Sequence, residues 1–162
     1  LQGMGLGYAT SNRGACHLRH AVFEEDMEDI SGNGKAQPCK DSQDQVATVD
    51  STGLCLFVGD AGMGPEHFAQ LLDSDLPGTW DEDRMTLTGE RVWNLERRFN
   101  LAAGLTKADD TLPKRLLEVP LTEGSAEGKV NELSIMLPEY YELRGWTEDG
   151  VPTNETIDRL GL

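Results

Sequence analysis

The chain has 162 residues, of which 29 are acidic and 14 basic, for a formal net charge of −15. That length suits one domain, or one and a half, with a core of its own. The acidic balance argues against nucleic-acid or anionic-membrane binding through bulk electrostatics and predicts a heavily solvated surface.

Cys16, Cys39 and Cys55 are an odd number, widely spaced. Without an export signal they fit a reducing, cytoplasmic compartment rather than a disulfide framework. The opening from Leu1 to Gly7 is neither a basic leader nor an apolar one, and no run is long enough to cross a bilayer. A start in mid-phrase leads to the expectation of a fragment of a longer chain.

In chain order, residues 1–19 carry Gly3, Gly5, Gly7 and Gly14 without sustained periodicity and read as closely packed irregular loop. Gly3-x-Gly5-x-Gly7 lacks both the G-x-G-x-x-G spacing and a Gly-Lys-Ser/Thr ending, so a phosphate-binding loop is rejected. Residues 21–46, with Glu24-Glu25-Asp26 and Asp41-Ser42-Gln43-Asp44-Gln45, hold few large apolar groups and predict a surface excursion. Between residues 46 and 58 the pattern predicts a helix ending near Asp50, a loop, and a new helix after Cys55; strand pairing is the alternative.

Pro65 suits the first position of a short helix through about Asp73, with Phe68, Leu71 and Leu72 on one side. The longest helical signal covers residues 80–103. Val92, Leu95, Phe99 and Ala102 form the expected core stripe, Trp93 joins the core, and Arg91, Glu96, Arg97 and Arg98 take the surface. Short helices follow over residues 112–118 and from 131 to 145, the latter kinked at Pro138, and Asn154 caps a last turn to Leu160. The expected fold class is all-α, multihelical, with irregular functional loops. A single domain over 1–162 is expected, with loops and short helices in 1–60 and a helical body in 61–162.

The chemistry concentrates in Asp50-Ser51-Thr52-Gly53-Leu54-Cys55. Asp50 is an acceptor-only carboxylate suited to the N–H edge of a heterocycle. Gly53 permits a tight turn or close backbone approach. Cys55 offers a thiolate to soft metals or iron–sulfur clusters. Alone, the hexapeptide is equally explained by a buried structural cysteine beside a turn. Cys16-His17-x-x-His20 is the other metal-like stretch; a zinc set of Cys16, His17 and Cys39 is conceivable, but the spacing does not match.

The hexapeptide has company. Upstream lies Gly7-Tyr8-Ala9-Thr10-Ser11-Asn12-Arg13-Gly14-Ala15-Cys16-His17-Leu18-Arg19. Downstream come Gly89-Glu90-Arg91-Val92-Trp93-Asn94-Leu95-Glu96-Arg97-Arg98-Phe99-Asn100, Asp109-Asp110-Thr111-Leu112-Pro113-Lys114-Arg115 and Tyr140-Tyr141-Glu142-Leu143-Arg144-Gly145-Trp146. Taken in order, these blocks resemble the C-terminal part of the tungsten-containing aldehyde:ferredoxin oxidoreductases, everywhere except residues 20–46. The resemblance implies a tungsten bis-pterin centre beside a 4Fe-4S cluster, with an aldehyde as substrate and ferredoxin as electron acceptor. It implies that Asp50 accepts from a pterin edge, that Gly53 and Leu54 bring backbone close to it, and that Cys55 ligates the cluster. His17 would line the active site, and Arg13 would reach a cofactor phosphate, with an ordinary ion pair as the alternative for Arg13.

The other three cluster thiolates and part of the pterin shell would come from upstream domains, so the isolated chain is expected to be inactive and free of cofactor. A homodimer of the parent would make its contact largely outside this chain. The rival readings are a non-catalytic helical interaction module and a small zinc-binding domain.

Overall fold

The central helix of the fold is one that composition concealed. A computed structural model describes residues 1–162, with the side chains of all but residues 59 and 60. Its helices are α1 (Gly3–Thr10), α2 (Phe23–Glu28), α3 (Ala36–Ser51), α4 (Phe57–Asp60), α5 (Pro65–Asp75), α6 (Glu82–Ala102), α7 (Lys114–Glu118), α8 (Leu133–Leu143) and α9 (Asn154–Leu160), with a 3₁₀ turn at Lys107–Asp109. Among the described residues β-pairing is limited to isolated bridges, Asn12 with Gly14 and Trp146 with Pro152. The all-α expectation holds. No described helix is long and apolar enough to cross a membrane.

Residues 36–46 were expected on the surface, yet they form most of α3, with Ala36, Cys39, Gln43, Asp44 and Val46 buried. The physical reason is that α3 docks through polar groups as well as apolar ones. Arg144, fully buried on the turn after α8, donates to Asp44 and, at 2.9 Å, to Gln43 Oε1. Tyr140 Oη accepts from Trp93 Nε1 at 3.0 Å and from Arg144 Nε at 3.0 Å, and donates to Gln43 Oε1 at 2.6 Å. Gln43 Nε2 in turn donates to Thr10 Oγ1 at 3.0 Å. One satisfied network thus joins α1, α3, α6 and α8, and a buried network of this kind fixes register only if every member is paired. Burial pushes the Tyr140 hydroxyl pKa up to about 12.

Residues 3–10 were read as loop because a local start signal is missing: Gln2, at the N-cap of α1, makes no capping bond with its side chain. The cap comes from α2. Asp26 accepts from the Gly3 amide at 2.7 Å and the Met4 amide at 3.0 Å, which satisfies two orphan donors and sets a negative charge at the positive end of the helix. The glycines of α1 serve close packing. A β-carbon on Gly7 would overlap the His20 ring, and one on Gly5 would overlap the Asn131 amide.

Helix α6 has the predicted length but presents a different face. Leu95 is 54% exposed and Phe99 72%, while Met85, Gly89, Trp93, Asn94 and Arg97 are buried. Asn94 and Arg97 belong inside because partners await them. Trp146 Nε1 donates to Asn94 Oδ1 at 2.7 Å, and Arg97 grips Asp110 through two bonds of 2.8 and 2.6 Å. Tyr141 also donates to Asp110. A hydropathy stripe places these polar residues outside and Leu95 and Phe99 inside, which turns the face away from the observed one. Trp93 is nonetheless buried, and Val92 packs against the core, as expected. The last helix is capped by Thr153, which accepts from the Thr156 amide, rather than by Asn154. The main apolar core gathers Met4, Leu6, Trp93, Met136 and Tyr140, and a smaller one gathers Val49, Phe68, Ala69 and Met85.

Candidate functional site

Three pieces of chain carry the candidate residues: the loop after α1, the last turn of α3, and the loop over residues 52–56. Asp50 lies in the last turn of α3, with its side chain 38% exposed. Its Oδ2 accepts from Arg19 Nη1 at 2.6 Å, and Oδ1 has no partner among the described residues. The other arm of the same guanidinium, Nη2, reaches Glu96 Oε2 on α6 at 2.8 Å. Asn12 strengthens that anchor, donating to the Trp93 carbonyl at 3.0 Å and toward Glu96 Oε2 at 3.4 Å. Arg19 is buried, its guanidinium carbon lies 5.4 Å from the Trp93 ring centroid, and its Nε is a buried donor without a partner.

After α3 the chain turns sharply. The Gly53 amide donates to the Asp50 carbonyl at 3.2 Å, and Gly53 adopts φ 75°, a left-handed conformation that residues with a β-carbon rarely adopt. Nothing lies within 4 Å of where its β-carbon would be, so the outer side of this turn is open. Leu54 and Cys55 follow, both exposed. The alternative of a buried structural cysteine therefore fails for Cys55 and describes Cys39 instead, which is buried in α3 with its thiol pKa pushed up by burial to about 12.

His17 is exposed on the loop after α1, two residues before Arg19. Arg13 is also exposed, and its Nη2 lies 3.1 Å from Cys16 Sγ. Burial raises the Cys16 pKa, but the Arg13 bond, the Leu18 backbone and the charges of Arg13 and Arg19 outweigh it, and the thiol ends below its ordinary value. Cys16 is thus a half-buried, arginine-paired thiol. The zinc set does not assemble: among the described residues no three His, Cys, Asp or Glu side chains form a metal-holding group, and Cys39 is sealed in the core.

His20 lies inside, edge-on to Tyr8, with Nε2 3.2 Å from the Met4 carbonyl. The carbonyl only accepts, so Nε2 carries the proton and Nδ1 is left buried without a partner. Burial pulls the imidazole below its ordinary 6.5, against the raising effects of the Met4 carbonyl and Asp26. A base whose folded pKa is depressed contributes stability that is full above 6.5 and is lost as pH falls from there through the lower folded value. Thermal denaturation between pH 7.5 and 5 should show this loss, and His20→Asn should flatten that component of the profile.

Sequence reasoning singled out Asp50, Gly53 and Cys55 but gave no role to Arg19 and Glu96, which connect Asp50 to the rest of the fold. The available signal was two arginines in the block around His17, of which only Arg13 received a role, and a glutamate placed by default on a solvated helix face.

Over residues 1–162 the chain matches the family described as aldehyde ferredoxin oxidoreductase, domains 2 and 3. It is 44% identical over 171 aligned positions to a tungsten-containing aldehyde ferredoxin oxidoreductase of Pyrococcus furiosus, and 43% identical to the protein of that description from Thermococcus kodakarensis, with 99% of the chain covered in each. The chain spans 28% of the length of these relatives. It is 29% identical over 127 positions to an aliphatic sulfonate oxidoreductase WOR-like subunit of Pyrococcus furiosus, covering 72% of this chain and 20% of that one. Among solved structures, the active site complex BamBC of benzoyl coenzyme A reductase with 1,5-dienoyl-CoA shares the fold. The TM-score is 0.62 at 22% identity, over 79% of this chain and 19% of that one.

Proposed function

This chain belongs to the aldehyde ferredoxin oxidoreductase family, and from that membership we propose that it is the C-terminal cofactor-binding part of a tungsten-pterin enzyme. The parent converts an aldehyde and water to a carboxylic acid, releasing two electrons and two protons, and the electrons leave through a 4Fe-4S cluster to ferredoxin. The upstream domains of the same enzyme are its obligatory partners, and the isolated chain is inactive.

The residues fit the cofactor set. Asp50 keeps one carboxylate oxygen unclaimed, Arg19 holds a buried unpaired donor beside it in the network, and the Gly53 turn is open on its outer side. Asp50 Oδ1 would accept from the N–H edge of a pterin, and Gly53 and Leu54 would lie against it. Cys55 would contribute one of the four thiolates usual for a four-iron cluster. Arg13 would serve a phosphate of the cofactor, exchanging Cys16 for a stronger anionic partner. When bound, the tungsten-pterin centre supplies the two-electron acceptor.

His17 presents an imidazole that can donate from a ring N–H to the aldehyde oxygen and receive a proton at its other nitrogen. The fold keeps this ring on the exposed loop, whereas His20 is held inside.

The single observation carrying this reading is the exposed Cys55 thiol on an open turn five residues after a partly satisfied aspartate. Cys55→Ser in the full-length enzyme tests it. Iron content and the broad visible absorption of the cluster should fall together, and aldehyde-dependent viologen reduction should be lost. Unchanged iron and activity would remove Cys55 as a ligand.

A further inference from the structure

We propose that Arg19 is the positioning residue for Asp50, fixing which carboxylate oxygen is offered to the cofactor; this rests on the reading of Asp50 as the pterin-gripping acid. The argument begins with the helix. Asp50 stands in the last turn of α3, where the negative end of the macrodipole opposes a carboxylate. Compensating charge has to come from elsewhere, and Arg19 Nη1 delivers it to Oδ2 at 2.6 Å. With Oδ2 engaged, Oδ1 is the oxygen left to accept.

The geometry of the guanidinium makes this a matter of orientation as well as charge. Its two arms hold two different carboxylates, Asp50 at 2.6 Å and Glu96 at 2.8 Å, from two different helices. Glu96 belongs to the long helix α6, and Asn12 binds at the same oxygen, so that arm is anchored. The planar group is buried on Trp93, which limits its rotation. A lysine cannot copy this, because one ammonium lacks the rigid fork that reaches two carboxylates in fixed directions. Because Arg19 follows His17 by two residues, the same side chain ties the histidine loop to the aspartate.

A purely structural ion pair would affect stability and leave cofactor exchange alone. The test therefore reads release of the pterin. In the full-length, cofactor-loaded enzyme, Arg19→Lys, Asp50→Asn and the double variant are placed in mild denaturant below the unfolding transition. Released pterin is followed by fluorescence after oxidation, alongside melting temperature. Each single substitution should accelerate release about 10- to 100-fold, in the range seen when a residue supporting a ligand is lost. The double variant should be no faster than the faster single one, because both act on the same contact.

If Asp50→Asn accelerates release and Arg19→Lys does not, or if their effects multiply, the positioning role is overturned while the role of Asp50 stands. If Asp50→Asn leaves release unchanged, the reading of Asp50 fails and the positioning role falls with it. Should Arg19→Lys not accumulate as folded enzyme, Glu96→Ala, which removes the acceptor of the anchored arm, replaces it with the same expectation of non-additivity.

Discussion

Gly89→Ala should destabilise the fold by about 3 kcal/mol or more, although in an isolated helix the same change stabilises by about 1 kcal/mol. Gly89 faces α3 from the middle of α6. A β-carbon there would overlap the backbone carbonyl oxygen of Asp44 and lie 2.5 Å from Thr48 Oγ1. The Asp44 oxygen belongs to helix backbone and cannot rotate away, so the two helices would have to separate. Separation would also pull Thr48 Oγ1 from the Met85 carbonyl, now 2.9 Å away, and loosen Trp93. Urea denaturation of the two proteins measures the difference. Equal midpoints would mean that α3 and α6 are not in backbone contact at this point.

Arg144→Met should be comparably severe, about 3 kcal/mol, toward the lower end of the usual penalty for breaking a buried pair from one side. The substitution leaves Asp44 inside without its main counter-charge. Lys40, 2.9 Å from Asp44 Oδ2 and only partly buried, softens the loss. Gln43 and Tyr140 also lose a donor. Burial by itself would lower the Arg144 pKa, but Asp44 and Tyr140 hold it above the ordinary arginine value, so the site is built for the charged form. A double variant, Asp44→Leu with Arg144→Met, should recover part of the stability because no unpaired charge remains. A single-variant loss below about 1 kcal/mol would mean that water replaces Arg144, against its complete burial.

What could be read in advance follows a physical division. Helices whose boundaries are local, such as α5 behind Pro65 or α8 across Pro138, showed themselves through proline and apolar spacing. Helices whose support is remote did not. The start of α1 is capped from Asp26, more than twenty residues away, and α3 is docked by Asp44 and Gln43 against Arg144 and Tyr140. The face of α6 was misjudged for the same reason: Arg97 and Asn94 point inward because Asp110 and Trp146 receive them. At the candidate site Asp50, Gly53 and Cys55 stand out in the sequence because their chemistry is written in adjacent positions. Arg19 and Glu96 act through a contact spanning 77 residues, which no local pattern encodes.

The remote cap on α1 also bears on the order of assembly. Its glycines give little intrinsic drive to form a helix, and its first two amides find their acceptor only after the chain has looped back through α2. Helices α1 and α2 therefore form and open together, because the first two amides of α1 have their acceptor only while α2 is in place. The loop bearing His17 joins these two helices, so its order depends on that shared cap.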